Sequence, residues 1–253
     1  MDQAKTLRHL LRQPQVSIRP IFGDVTVDYS ACMARFIQEQ LDGLGHTSVI
    51  VDTSTRGLNQ LVPPRSRVDM AEFLLRRAPL EDQVIEMQQG QWLLPARKGL
   101  DVMMREPSAA RSWLDQWHRM PATLDEVLIT LPYEGVAVAS ALGVHQDCCW
   151  LIQPTAESVT RAFHALRTAS GVDTATRHRV IVAGVKHTDE ADHVFANLLE
   201  STTGFLVEPL QYAGHLPALK PGQPLSEMSR DMLAAGRRVA KTLCALEEQM
   251  AAS

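Results

Sequence analysis

No stretch of this sequence stays apolar over the roughly 20 residues that a membrane-spanning helix needs, and no basic run is present to hold a polyanion. The formal net charge is −4, so non-specific nucleic-acid binding lacks its electrostatic footing. Aromatic residues make up only 5% of the chain, and any core must be built mainly from aliphatic side chains. The four cysteines, Cys32, Cys148, Cys149 and Cys244, have no zinc-module spacing. Cys148 and Cys149 are adjacent within an apolar run, which reads as buried thiols rather than a redox pair. Without a disulfide framework the chain reads as a cytosolic protein of a reducing compartment. The opening residues Met1-Asp-Gln-Ala-Lys5 contain no apolar segment of the kind a secretory signal has.

What is present is ample apolar material, 45% of 253 residues, enough for one large α/β domain with an additional arm. Short apolar runs read as strands: Val16–Phe22, Ser48–Asp52, Val84–Met87 paired with Trp92–Pro95, Glu126–Leu131, Cys148–Gln153, Arg179–Val185 and, irregularly, Gly204–Tyr212. Between them lie segments with helical spacing: Cys32 to Leu44, Asp69–Arg77, Ala109–His118, Gly135–Leu142, Ala156–Thr168, Asp189–Ser201 and a long closing helix over Ser226–Gln249. Such alternation predicts a mostly parallel sheet with helices on both faces. Residues 1–15 stand apart. Leu7, Leu10 and Leu11 share one face of a short amphipathic unit, and Pro14 breaks it from the body at 16–253.

The first strand–turn–helix unit is where an α/β protein of this layout would cradle phosphate. That cradle needs glycines, which let bare backbone N–H groups converge on the anion, and a lysine to neutralise it. Here the turn is Gly23-Asp-Val-Thr-Val-Asp-Tyr-Ser-Ala31, with one glycine, no lysine and two acids. Asp24 and Asp28 would repel a triphosphate at a cost of a few kcal/mol in a partly buried site. No Gly-x-Ser-x-Gly elbow is present. The densest histidine cluster, His187-Thr-Asp-Glu-Ala-Asp-His193, has a spacing that places its two histidines on nearly opposite helix faces. It reads as a helix start capped by Thr188. Tyr133 and Glu134 read as a solvated turn, and Trp113 and Trp117 as a packed helix face. No catalytic residue, metal site or cofactor is expected from these patterns.

Two groups of residues carry a resemblance. Asp2-Gln-Ala-Lys-Thr-Leu-Arg8 is similar to the Asp-Gln-Ala-x-x-Leu-Arg signature at the N-terminus of the flagellar-number regulators FlhG, also called FleN, of the MinD/ParA class. Pro154–Leu166, Val194–Leu198 and Phe205–Pro217 resemble the later helices and strands of the same proteins. The resemblance implies a MinD/ParA-like α/β fold. Members of that class bind ATP between two subunits, and this chain departs from them at the nucleotide positions. The signature lysine and the P-loop Lys-Thr correspond to Val25, Ser30 and Ala31, beside the remaining Gly23. The metal-binding acid corresponds to Leu131, and the adenine-contacting asparagine falls near Ala183-Gly184. Asp52 is retained, in a place where it is equally suited to capping a loop. The expectation is a pseudo-ATPase without ATP-driven dimerisation.

In that family the N-terminal arm engages an FlhF-type GTPase and stimulates it, which implies roles for Asp2, Gln3, Ala4, Leu7, Arg8 and Leu11 here. Two alternatives stay open: an ATPase with a deviant loop, and an antiactivator of a FleQ-type transcription regulator. The closing helix bears Glu247 and Glu248 as well as Arg237, Arg238 and Lys241. It is expected to pack on the domain rather than on a membrane. The implied place of action is the cytoplasm, with recruitment to the cell pole.

Overall fold

The computed structural model describes residues 16–24, 29–55, 58, 69–88, 91–106, 108–109, 113, 116–117, 124–142, 147–171, 177–219 and 227–250. Eight strands form a single sheet: β1 Ser17–Gly23, β2 Ser48–Asp52, β3 Ile85–Gln88, β4 Gln91–Pro95, β5 Glu126–Pro132, β6 Asp147–Ile152, β7 Arg177–Ala183 and β8 Gln211–Leu216. Their order is β3-β4-β2-β5-β1-β6-β7-β8. Only the β3–β4 pair is antiparallel among these neighbours. The helices are α1 Tyr29–Asp42, α2 Ala71–Leu74, α3 Arg97–Arg105, α4 Val136–Ala141, α5 Ala156–Ser170, α6 Thr188–Thr202 and α7 Arg230–Met250. The mostly parallel sheet with helices on both faces is the architecture that the apolar strand runs imply.

The central strands are mostly apolar because neither face meets water, with polar and charged residues mainly toward their ends. Every residue of β2 is buried. Along β1, Ile21 faces α1 and α7, and Phe22 faces the opposite layer. The α1/α7 layer is built from Met33, Phe36, Ile37 and Leu41 against Val239, Ala240 and Leu243. The other layer is larger and takes in Leu100, Met103, Trp113, Trp117, Ala162, Leu166 and Leu198. In it Phe22 stacks on Trp150 with ring centroids 4.4 Å apart, and the Trp150 indole donates to Nδ1 of buried His178 at 3.2 Å.

Several elements depart from the sequence reading. The helix expected over Asp69–Arg77 is shorter, Ala71–Leu74. The irregular strand expected over Gly204–Tyr212 begins only at Gln211, and its pairing with β7 shifts register between Val180 and Ile181. Helix α3 had no counterpart in the sequence reading. Its N-cap residue, Ala96, has no capping side chain. Asp69, distant in sequence, does the work instead: its carboxylate accepts the N–H groups of Lys98 at 3.0 Å and Gly99 at 2.9 Å. Helix α6 starts at Thr188 itself, with His187 in the cap position and no side-chain cap bond. Thr188 is therefore not the cap. The helix expected over Ala109–His118 falls largely outside the described residues; within it Trp113 and Trp117 are buried and meet edge-to-face at 5.7 Å, as a packed face.

The α1–α7 contact depends on one small residue. A Cβ at Gly236 would lie 2.5 Å from two ring atoms of Phe36, closer than carbon atoms approach without displacement. Alanine would favour the helix by about 1 kcal/mol, but inserting a methyl group into a packed interface costs about 1–3 kcal/mol. Gly236→Ala is expected to be net destabilising by up to about 2 kcal/mol in urea unfolding. The loss should shrink in a Phe36→Leu background, where the ring is gone. An unchanged loss in that background would mean that Phe36 is not the source.

Candidate functional site at the strand ends

Connections from β1 run toward β2 and β4, whereas those from β5 run toward β6, β7 and β8. The chain therefore reverses direction around β1, and open α/β sheets bind ligands in the crevice at the carboxyl ends of the strands where that happens. In this protein the crevice is bordered by Gly23 and Asp24 after β1, Pro132 to Gly135 after β5, and Gln153 and Pro154 after β6. Asp2, Gln3, Ala4, Leu7, Arg8 and Leu11 lie outside the described residues, as does Val25. The structure thus places only part of the sequence-expected site.

Gly23 is required by close approach: a Cβ there would sit 2.6 Å from the Ser30 hydroxyl and 3.5 Å from Leu151. That hydroxyl donates to the Asp24 carbonyl at 2.8 Å, and Ser30 is buried. The turn after β1 is thus tied by its own side chain. Ala31 is fully buried against the sheet. Leu131 is likewise fully buried, so the end of β5 carries an apolar core residue. Asp52 at the end of β2 is also buried. It accepts from the Ser54 N–H at 3.0 Å, the Ser54 hydroxyl at 2.6 Å and the Leu58 N–H at 2.7 Å, and so shapes the loop that follows.

Two tyrosines and one arginine line the crevice among the described residues. Tyr133, read from sequence as part of a solvated turn, is instead buried. Its phenol contacts the Leu151 carbonyl at 2.7 Å and the Ser158 hydroxyl at 3.0 Å. A carbonyl only accepts, so the phenol proton goes to Leu151 and Ser158 donates to the phenol oxygen. Ser158 in turn accepts the Gln153 N–H at 3.0 Å. This chain ties the segment after β5 to the end of β6 and the first turn of α5. Arg161 of α5 lies over the Tyr133 ring, 5.3 Å from its centroid. Its guanidinium reaches Glu134 at 3.0 Å and Asp24 at 3.4 Å. These pairs are partly exposed and stabilise the fold by little, about 0–1 kcal/mol each. Their effect is on charge: two carboxylates around one guanidinium leave the lip formed by these three residues net negative. At the β7 side, the Tyr29 hydroxyl points at Gly184, where a Cβ would come within 2.8 Å of it. Gly184 has φ +89°, so both its backbone and its neighbour demand glycine.

Tyr29 is one of the bulky residues that the sequence puts in this turn, whereas no sequence pattern marks Arg161. Arg161 sits on a regular helix face, and its partners lie 137 and 27 residues away.

No family model and no curated protein matches the chain. Solved structures match it along nearly its whole length. The MinD cell division protein of Aquifex aeolicus superposes with a TM-score of 0.68 at 16% identity, covering 91% of this chain and 97% of that one. A plasmid partition protein of Borrelia burgdorferi B31, solved with AMPPNP, gives 0.67 at 9% identity over 91% and 99% of the two chains. Cobyrinic acid a,c-diamide synthase of Mycobacterium smegmatis, with ADP and magnesium bound, gives 0.67 at 16% identity over 92% and 96%. At these identities the likeness concerns the fold: the chain has the fold of the MinD/ParA-type P-loop ATPases.

The tyrosines yield a pH prediction. Burial is the main cause that raises all three: Tyr133 to about 12 from 10.0, Tyr212 to about 12 with Asp192 adding to the effect, and Tyr29 upward with Cys32 adding to it. A phenol harder to ionise in the folded state favours folding fully below pH 10, and that contribution disappears as pH rises through about 12. The chain has three tyrosines. Alkaline absorbance titration should show no tyrosinate near pH 10 in the folded protein, and its appearance should coincide with loss of circular dichroism. One equivalent titrating near 10 with native dichroism would contradict this burial.

Proposed function

We propose that this protein is a MinD/ParA-fold regulator that works through protein partners without binding ATP, in the manner of an FlhG-like factor acting on an FlhF-type GTPase. The observation that supports the first part is the chemistry of the side chains around the crevice. The lip formed by Asp24, Glu134 and Arg161 is net negative; Ser30, at the place of the P-loop lysine, is buried and spent on the Asp24 carbonyl, and Ala31, at the place of the metal-ligating hydroxyl, has only a buried methyl group. Leu131 offers a hydrocarbon side chain where a magnesium-binding acid would be needed. Tyr29 rests against Gly184, near where the resemblance puts the adenine-contacting residue. The flagellar assignment rests on Asp2-Gln-Ala-Lys-Thr-Leu-Arg8 and the spacing of the later segments. Among the described residues no helix is long and apolar enough to cross a membrane.

The proposal has two parts, each with its own measurement. For the nucleotide, calorimetry with millimolar Mg-ATP should give no binding heat, and the mass by light scattering should not change when ATP is added. A micromolar dissociation constant, or ATP-driven dimerisation, would instead establish the deviant-loop ATPase.

For the arm, full-length protein should raise the GTP turnover of the cognate FlhF, and a chain starting at Val16 should not. Gln3→Ala should lower the stimulated rate with little loss of binding, because its amide would act on the hydrolysis step. Leu7→Ala should weaken binding by about 1.5–3 kcal/mol, the value of one buried leucine. Equal stimulation by the shortened chain would remove the arm from the mechanism. No stimulation by either would favour action on a FleQ-type regulator.

A further inference from the structure

At the opposite edge of the sheet, three potential metal ligands from distant parts of the chain converge. His46 follows α1, Glu126 opens β5 and Cys244 lies on α7. A ring nitrogen, a carboxylate oxygen and the thiol sulfur all lie within 4.8 Å of one another. We propose that His46, Glu126 and Cys244 form a binding site for a zinc ion that staples α7 to the sheet.

The three positions are fixed by the fold rather than by local sequence. The turn that delivers His46 closes α1: the Leu44 N–H bonds to Leu41, that of Gly45 to Asp42, and that of His46 back to Leu41. Gly45 has φ +90°, the left-handed conformation that ends helices. The next residue, Thr47, is clamped to the start of β5. Its N–H and hydroxyl both donate to the Asp125 carboxylate at 2.7 and 2.9 Å, and its carbonyl accepts from Asp125 and Glu126. His46 and Glu126 are thereby held side by side through main chain. Cys244 is held by its neighbours on α7: Arg19 donates to the Leu243 carbonyl at 3.2 Å and Arg179 to the Thr242 carbonyl. Arg19 also orients Glu126, contacting Oε1 at 3.3 Å. A partner of this kind, aimed at a ligand from behind, tunes and positions metal ligands in known sites.

The ligand chemistry selects the ion. One imidazole, one carboxylate and one thiolate suit Zn²⁺, with bond lengths of about 2.0–2.3 Å. The thiol argues against magnesium or calcium, which take oxygen ligands. Glu126 is fully buried, unlike the surface acids that cluster without metals. His46 and Cys244 are half-buried, which leaves a fourth position for water. Tetrahedral ligand atoms lie somewhat closer together than 4.8 Å, and rotation of these two partly exposed side chains closes the gap. On binding, Cys244 gives up its thiol proton to solvent as the sulfur–zinc bond forms. No sequence spacing signals this set, because its members are separated by most of the chain.

The test uses the full-length protein, stripped with a chelator and titrated with Zn²⁺ in competition with a chromogenic chelator, and separately with Co²⁺ as a spectroscopic substitute. One equivalent should bind. The cobalt form should show tetrahedral ligand-field bands and a thiolate charge-transfer band. His46→Gln and Cys244→Ser should each raise the dissociation constant at least about 100-fold, since even the partners behind metal ligands are worth about 10–100-fold. Cys244→Ser should also abolish the charge-transfer band. Cys32→Ser, at the other end of α1, should change neither. In unmodified protein, zinc should slow alkylation of Cys244 at least about tenfold and leave Cys32 unaffected, a readout that needs no variant to fold. Absence of stoichiometric binding, binding indifferent to both substitutions, or alkylation of Cys244 unchanged by zinc would overturn the site.

Discussion

Two guanidinium groups buried at the N-terminal edge of the sheet constrain the rest of the molecule. Arg19 of β1 and Arg179 of β7 both reach Asp147, on the strand between them, and Arg19 also pairs with Glu126 of β5. Both arginines and Glu126 are almost wholly removed from water. Burying such charges without partners costs several kcal/mol per ion, and removing one partner from a buried pair about 3–5 kcal/mol. The adjacent strands β5, β1, β6 and β7 are therefore held in register, because a slip would strand a charge. The same arginines donate to carbonyls of α7, which draws the closing helix onto the sheet. Cys149 lies within this group, and burial pushes its thiol up to about 12 despite the pull of Arg19 and Arg179 in the other direction. It behaves as packing material rather than as a nucleophile.

That lock at one edge determines what can be built at the other. With Ser17 opposite Glu126, the register carries Gly23 to a position opposite Pro132. The crevice is then narrow enough that Gly23 cannot bear a side chain, and the segment after β5 can bond directly to the end of β6 through Tyr133. Arg161 contributes little stability through its exposed pairs, yet it joins both lips of the crevice at once. Beside the crevice, the Tyr29 hydroxyl is buried without a hydrogen-bond partner among the described residues.

The parts of the fold that were legible in the sequence are those where local chemistry decides structure. The strands could be read because a parallel sheet buried on both faces needs short apolar runs, as in Val49–Val51 and Val127–Ile129. Helix α5 was readable because Thr155 caps it locally, accepting the Ser158 N–H. Helix α3 was not, because its cap comes from Asp69, and because Gly99 within it looks like a breaker. That glycine is there for packing: a Cβ would meet the Met70 side chain at 2.7 Å. The same division holds for the crevice. The missing glycines and lysine, and the apolar Leu131, were visible in the string of residues. The reach of Arg161 to Asp24, of Tyr29 to Gly184 and of Tyr133 to Leu151 depends on strand order, which no local pattern encodes.

The two ends of the strands thus divide the labour. The N-terminal ends hold the charges that fix the architecture, and the C-terminal ends border the crevice. The solved neighbours of this fold include proteins caught with AMPPNP and with ADP and magnesium. On the proposed reading, a protein that does not use nucleotide to switch its shape acts through surfaces that are permanently formed, or through a segment that gains structure on a partner. The closing helix is pinned by the buried arginines and by the Phe36–Gly236 contact, so it is poorly suited to peel away. A short amphipathic segment set off by a proline has the opposite character: a helix of about a dozen residues is marginal alone and gains its stability from the surface it meets. On the proposed reading, the rigid body supplies position and the N-terminal arm supplies the action.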